Sequence, residues 1–259
     1  MLRWAKSSIL MAVMFAASAC LDAQSSAASA CSLRPESFAL KNQDLPVGEL
    51  NGGVFFTAGM TIDADGAPNA YGPKNRGLDY TANARGGHGW VALVTNKRGS
   101  PMRQRSGPYR GFYISTTSLQ QTHVKDIANP NRYIDARTIP YIALPKDFAG
   151  RFGIGLGDLA LVINEANGLS AYAIFADVGP RGRIGEGSIA LARELGITPD
   201  PRHSQVFGQI TYLIFPGSGA DRWKRITPSR VRTLAEETLA QWTQETASCY
   251  NHLEQHIAQ

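Results

Sequence analysis

The residues best placed to do chemistry are two carboxylates. Asp177 closes the apolar run Ala171-Tyr172-Ala173-Ile174-Phe175-Ala176. Glu186 follows across the Gly/Pro-rich segment Val178-Gly179-Pro180-Arg181-Gly182-Arg183-Ile184-Gly185. Gly182, Gly185 and Gly187 permit the chain to fold back, which turns both acids toward one cleft. An acid at the end of a buried strand is pushed toward its neutral form, whereas an acid near a helix N-terminus is favoured ionised. Two carboxylates in unlike environments are what glycosidic hydrolysis needs: one protonates the leaving oxygen and the other activates a water. Taken alone, this D-x8-E spacing is more often a capped loop.

Other chemistries find no support. Gly153-Ile154-Gly155-Leu156-Gly157 lacks the G-x-G-x-x-G spacing and reads as a loop. Asp63-Ala64-Asp65-Gly66 begins like a calcium loop, but the twelfth position, where that loop needs Glu, is Lys74. The sequence contains no C-x-x-C, no H-E-x-x-H and no G-x-S-x-G. His252 and His256 stand one turn apart with no evident third ligand. The expectation is therefore an enzyme with no metal and no cofactor. Tyr71, Trp90, Tyr109 and Tyr113 are candidates to stack on sugar faces, of which Tyr71 and Trp90 are preferred, with core packing as the competing reading. Asp63, Asp65 and Asp135 are candidates to line substrate subsites, with turn capping as theirs.

Stepping along the chain, residues 52–62, 90–95, 109–116, 139–144, 158–164, 170–176 and 206–215 are β-branched or aromatic-rich and bounded by turn formers, so each predicts a strand. Asn164–Gly168 predicts a hairpin turn. Ser188 caps a short amphipathic run that ends at Gly196. Thr227-Pro228 opens a second helix over 227–257, with Val231, Leu234, Leu239, Trp242, Cys249, Leu253 and Ile257 at helical spacing.

At 259 residues, 43% hydrophobic and 18% charged, the chain is globular, not disordered. Its net charge of +5 is scattered, with no Lys/Arg run, which argues against a nucleic-acid partner. Arg3 and Lys6 before the apolar stretch Ile9–Ala17, then Ala17-Ser18-Ala19-Cys20, predict a secretory leader over 1–20. Cysteine after the small residues resembles a bacterial lipobox, which makes Cys20 a lipidation candidate; cleavage by the ordinary signal peptidase is the alternative. Residues 21–49 read as a tether and N-terminal segment, and 50–259 as a single domain. In an exported chain, Cys31 and Cys249 are expected to form a disulfide; two unpaired thiols are the alternative. The protein is expected to be exported to the periplasm, the outer membrane or the medium, to act as a monomer on a polysaccharide, and to meet membrane only through lipid.

Five blocks carry a resemblance. Phe55-Phe56-Thr57-Ala58-Gly59-Met60-Thr61-Ile62-Asp63-Ala64-Asp65-Gly66-Ala67-Pro68, with Ala70-Tyr71, then Arg132-Tyr133-Ile134-Asp135, Ile139-Pro140-Tyr141, Gly157-Asp158 and Asp177-Val178-Gly179-Pro180…Gly185-Glu186-Gly187-Ser188, resemble glycoside hydrolase family 75, the fungal-type chitosanases, over about residues 50–217. The resemblance implies inverting endo-hydrolysis of β-1,4-linked glucosamine, with Asp177 and Glu186 as the catalytic pair. The last block is also similar to the pattern of double-psi β-barrel proteins, which implies a mainly β, compact barrel of about six strands with peripheral helices and a C-terminal helix. Barrel analogy makes Glu186 the acid and Asp177 the base; the small helix-dipole effect pulls Glu186 the other way. Two alternatives stand beside this reading: a peptidoglycan-active lytic transglycosylase of the barrel type, which works with a single acid, and a non-catalytic glycan-binding barrel.

Overall fold

The computed structural model describes residues 33–87, 89–219 and 225–257. The expected leader, Cys20 and Cys31 lie outside them. Cys249 falls in the C-terminal helix, at a position whose side chain is not described.

The fold is mainly β and is built on a closed six-stranded barrel. Chain order is β1 (Arg34–Ala39), β2 (Asp44–Leu50), β3 (Gly53–Asp63), a small ribbon of β4 (Arg85–Gly86) and β5 (Gly89–Trp90), then β6 (Tyr141–Pro145), helix α1 (Lys146–Arg151), β7 (Leu159–Asn164), β8 (Leu169–Gly179), β9 (Glu186–Ser188), helix α2 (Ile189–Glu194), β10 (Gln205–Phe215) and helix α3 (Pro228–Ile257). Strands run around the barrel as β3-β10-β7-β8-β6-β9, and β9 closes on β3. The pairs β6–β8 and β3–β9 are parallel; the others are antiparallel.

Closure explains why the strands read as continuous apolar runs. Every residue of β7 is buried, as is Ala171–Asp177 of β8. One face of these strands fills the barrel and the other is covered by helices, so neither alternates with solvent. Helix α3 lies against β7 and β8. Its Trp242 ring sits 6.0 Å from that of Phe215, and its Nε1 donates to the Leu50 carbonyl at 3.0 Å. Helix α2 begins where expected: Ser188 Oγ accepts from Leu191 N at 3.1 Å, and Gly196 takes φ 69° at the far end. The β7–β8 hairpin turns through Asn164–Gly168, with Gly168 N donating to the Asn164 carbonyl at 2.8 Å.

Three segments differ from expectation. Residues 34–50 form the β1–β2 hairpin, which extends the sheet from the β3 edge and buries Phe38, Leu45 and Val47 in the common core. Pro35 and Pro46 disguised these strands, because proline cannot donate to a ladder. Pro46 is tolerated since pairing of β2 with β3 begins only at Val47. Beyond Trp90 of β5, residues 91–95 and 109–116 are loops joined by the isolated bridge Leu93↔Ser115, and Arg103↔Tyr113 ties the chain between them to the second. Between them Gly99, Gly107 and Gly111 all take positive φ, which ends each ladder after one rung.

Candidate active site

Strand β6 positions the two candidate acids. Its Ala143 pairs with Asp177 on β8 and with Glu186 on β9. Directly paired residues project from the same face, so the acids flank one of the smallest side chains. This register depends on a β-bulge. Ile142 pairs with Phe175, but Ala143 pairs with Asp177, which leaves Ala176 as an extra residue. Without it Asp177 would point to the opposite face. Strand β9 then carries the row onward: Glu186 pairs with Thr61 and Ser188 with Asp63, which brings the end of β3 beside the acids. Glycine is required at Gly185, where φ is 89° and a Cβ would lie 2.2 Å from the Gly59 carbonyl oxygen. At Gly179, two residues from Asp177, a Cβ would come within 3.1 Å of Glu186 Oε2, so the carboxyl of Glu186 lies over β8.

The site is a cluster of four carboxylates. Asp63, Asp65 and Asp177 each offer an oxygen, and these three lie within 4.8 Å of one another. Among the described residues they have the mutual spacing of metal ligands, and each also accepts from the protein. Asp65 N donates to Asp63 Oδ1 at 2.8 Å, and the Tyr71 hydroxyl to Asp65 Oδ1 at 2.7 Å. Asp177 Oδ1 accepts from Ser118 N at 2.9 Å, Ser118 Oγ at 2.6 Å and Val178 N at 2.8 Å. The Tyr141 hydroxyl donates to the Asp65 carbonyl at 3.0 Å and lies against the Asp63 carboxyl.

Burial raises all four acids, and repulsion between them adds to it at Asp63, Asp65 and Glu186. Desolvation pushes Asp63 well above the carboxylate range, and the charges of Glu186 and Asp177 add to it. Desolvation does the same to Asp65, with Asp63 and Asp177 contributing and the Tyr71 hydroxyl opposing. Glu186 is pushed up to about 7 by burial and by the charge of Asp177, against the pull of Arg183. Asp177 is also raised by burial, but the Ser118 hydroxyl, the Ser118 amide and the Val178 amide all favour its ionised form. The two candidate acids therefore differ in kind. Glu186 holds a proton to near-neutral pH, while Asp177 has a donor set aimed at its anion.

The other expected site residues divide. Asp63 and Asp65 join the carboxylate cluster of Asp177 and Glu186. Tyr71 is 2% exposed and works through its hydroxyl, with no ring face open to a sugar. Trp90 is half-buried, with the Arg85 guanidinium 4.5 Å above its ring. Asp135 lies elsewhere, held by Arg137 at 2.7 Å, while Arg137 also donates to the Tyr109 hydroxyl at 2.6 Å. These three line a cavity of about 1180 Å³ whose walls include none of the four clustered acids. Tyr113 carries Arg103 at 5.6 Å over its ring. Sequence reasoning missed Ser118, Tyr141 and Ala143, which come from a loop and a strand far from either acid block. No protein-family model matches the chain, and no curated protein matches it.

Proposed function

We propose that the protein is an exported, endo-acting glycoside hydrolase that cleaves β-1,4-linked glucosamine polymers by inversion, with Glu186 as general acid and Asp177 as general base. The observation that carries this reading is the row Asp177–Ala143–Glu186. Two strand spacings separate the acid backbones by about 9.5 Å. Inverting chemistry uses carboxyl groups about 6.5–9.5 Å apart, with a water between substrate and base; the Glu186 carboxyl reaches across the small Ala143 to lie over β8, so the carboxyls stand closer than the backbones. The contrast between a protonated Glu186 and an anchored Asp177 anion supplies the acid and the base.

A cationic substrate is supported by the charge distribution. The whole chain carries +5, yet four carboxylates converge at this site. The resemblance to family 75 chitosanases spans the barrel from β3 to β10, which agrees with the same chemistry.

The test is to incubate the mature protein with chitosan, chitin and peptidoglycan and to measure new reducing ends. Chitosan is expected to yield them, with the α-anomer first in proton NMR. Cleavage of peptidoglycan alone, with anhydro-sugar products, would overturn the reading in favour of a single-acid transglycosylase.

The Ser118 hydroxyl gives a further prediction. A hydrogen bond to a charged group contributes about 1.5–3 kcal/mol, and 1.36 kcal/mol is one pKa unit. Ser118→Ala is expected to shift the acid limb of the pH–kcat profile upward by about one to two units. The backbone amides still hold Asp177 in place, so the rate at the optimum changes less than the pH limb.

A further inference from the structure

The catalytic row does not stop at Glu186. Thr61, its partner on β3, pairs on its other side with Gln205 of β10. Gln205, Thr61 and Glu186 thus lie side by side on the adjacent strands β10, β3 and β9, with the Gln205 backbone about 9.5 Å from that of Glu186. Thr61 and Gln205 are exposed. Their chain neighbours Met60 and Val206 pair with each other and pack on the core, so Thr61 and Gln205 occupy the outer side. These three strands form a short floor beyond Glu186 on which one end of an extended chain can lie.

At the β10 end of this floor stands Phe207, 78% exposed. It is the second residue after Gln205 and opens a register slip between Val206 and Ile210, with Gly208 at φ 68°. The slip lifts residues 207–209 out of the ladder, and a bulge of this kind re-aims a side chain beside a site. The ring has an open apolar face beside the site, and a sugar face is the kind of surface that would cover it.

We infer that Phe207 is the stacking platform of a distal glucosamine subsite, about two strand spacings from Glu186 on the side away from Asp177. This inference rests on the glycoside hydrolase reading above. It makes the groove directional: the chain runs from Asp177 over Ala143 and Glu186 and is gripped at Phe207, so only oligomers long enough to reach it gain from the ring.

The test compares Phe207→Ala and Phe207→Trp with the wild type on the glucosamine trimer and hexamer. Phe207→Ala is expected to raise KM for the hexamer about tenfold, and to reduce the hexamer-to-trimer ratio of kcat/KM by the same factor. Phe207→Trp restores the ratio, because it keeps a flat ring. Circular dichroism and Tm monitor the fold of both variants. A wild-type length ratio in Phe207→Ala, or an equal KM rise for both oligomers, overturns the subsite while leaving the enzyme reading intact. A wild type that cleaves neither oligomer overturns the enzyme reading, and the subsite falls with it.

Discussion

Glu186→Gln is expected to lower kcat on chitosan by about 10²–10⁴-fold, the usual worth of a proton-transfer group. The amide matches the carboxyl in shape but has no proton to give to the leaving oxygen. Asp177→Asn should lose a similar factor, because an amide cannot take a proton from water. The pH dependence follows from the same geometry. A general acid works while protonated, and Glu186 is pushed up to about 7, so kcat should fall as pH rises through about 7. Asp177 must be ionised, which sets the acid limb. The stability effect runs opposite to the activity effect. An acid whose folded pKa lies above its unfolded value destabilises the fold as pH rises from the unfolded value through the folded one. Glu186→Gln removes that cost, so Tm at pH 8 should be unchanged or higher while activity is lost. Near-full activity in Asp177→Asn beside a dead Glu186→Gln would refute the two-carboxylate mechanism.

Asp158→Ala is expected to be the most damaging single change to the fold. Asp158 is 2% exposed. Its Oδ2 accepts from Gly155 N at 2.7 Å and Gly217 N at 3.0 Å, and its Oδ1 from Gly219 N at 2.9 Å. The carboxylate thus ties the entry of β7 to the exit of β10, and Gly219 packs so closely on the Gly157 carbonyl that a Cβ would meet it at 2.1 Å. The Gly219 amide is buried, and leaving it without an acceptor costs about 1–3 kcal/mol; the amides of the exposed Gly155 and Gly217 can turn to water and add about 1 kcal/mol each, so the loss is roughly 3–5 kcal/mol. Against a typical total stability of about 5–15 kcal/mol, that is a large fraction. Asp158→Asn keeps one acceptor oxygen and should lose about half as much. Urea denaturation measures both, and a loss under about 1 kcal/mol for Asp158→Ala would show that the amides find other partners.

Much of this site was legible in the sequence because its two principal acids sit at punctuation marks. Asp177 ends an apolar run, and Glu186 stands two residues before a serine cap, so each advertised itself locally. The roles of Asp63 and Asp65 were harder to read. The Asp65 N bond to Asp63 Oδ1 is the local turn that D-x-D-G predicts, but only closure of β9 on β3 carries these acids to Asp177. Ser118 and Tyr141 were invisible for the same reason: each reaches the cluster from 36 to 78 positions away along the chain. Tyr71 shows the limit of reading residue types, since an aromatic that looks like a sugar platform is used for its hydroxyl. The long strands β3, β7, β8 and β10 were clear, because a closed barrel makes continuous apolar runs. The β1–β2 hairpin was hidden by its prolines.

The extra residue at Ala176 has a consequence for how this protein can vary. Side chains in a strand alternate in parity, and the bulge advances that parity by one step between Phe175 and Asp177. Deleting one residue there would leave hydrophobicity, composition and every acid unchanged, yet would turn Asp177 away from Glu186. The exposed loop tip 105–108 tolerates changes of length, because no ladder downstream counts its residues. In β8 the number of residues is itself part of the chemical information, so this strand can drift by substitution but not by insertion or deletion.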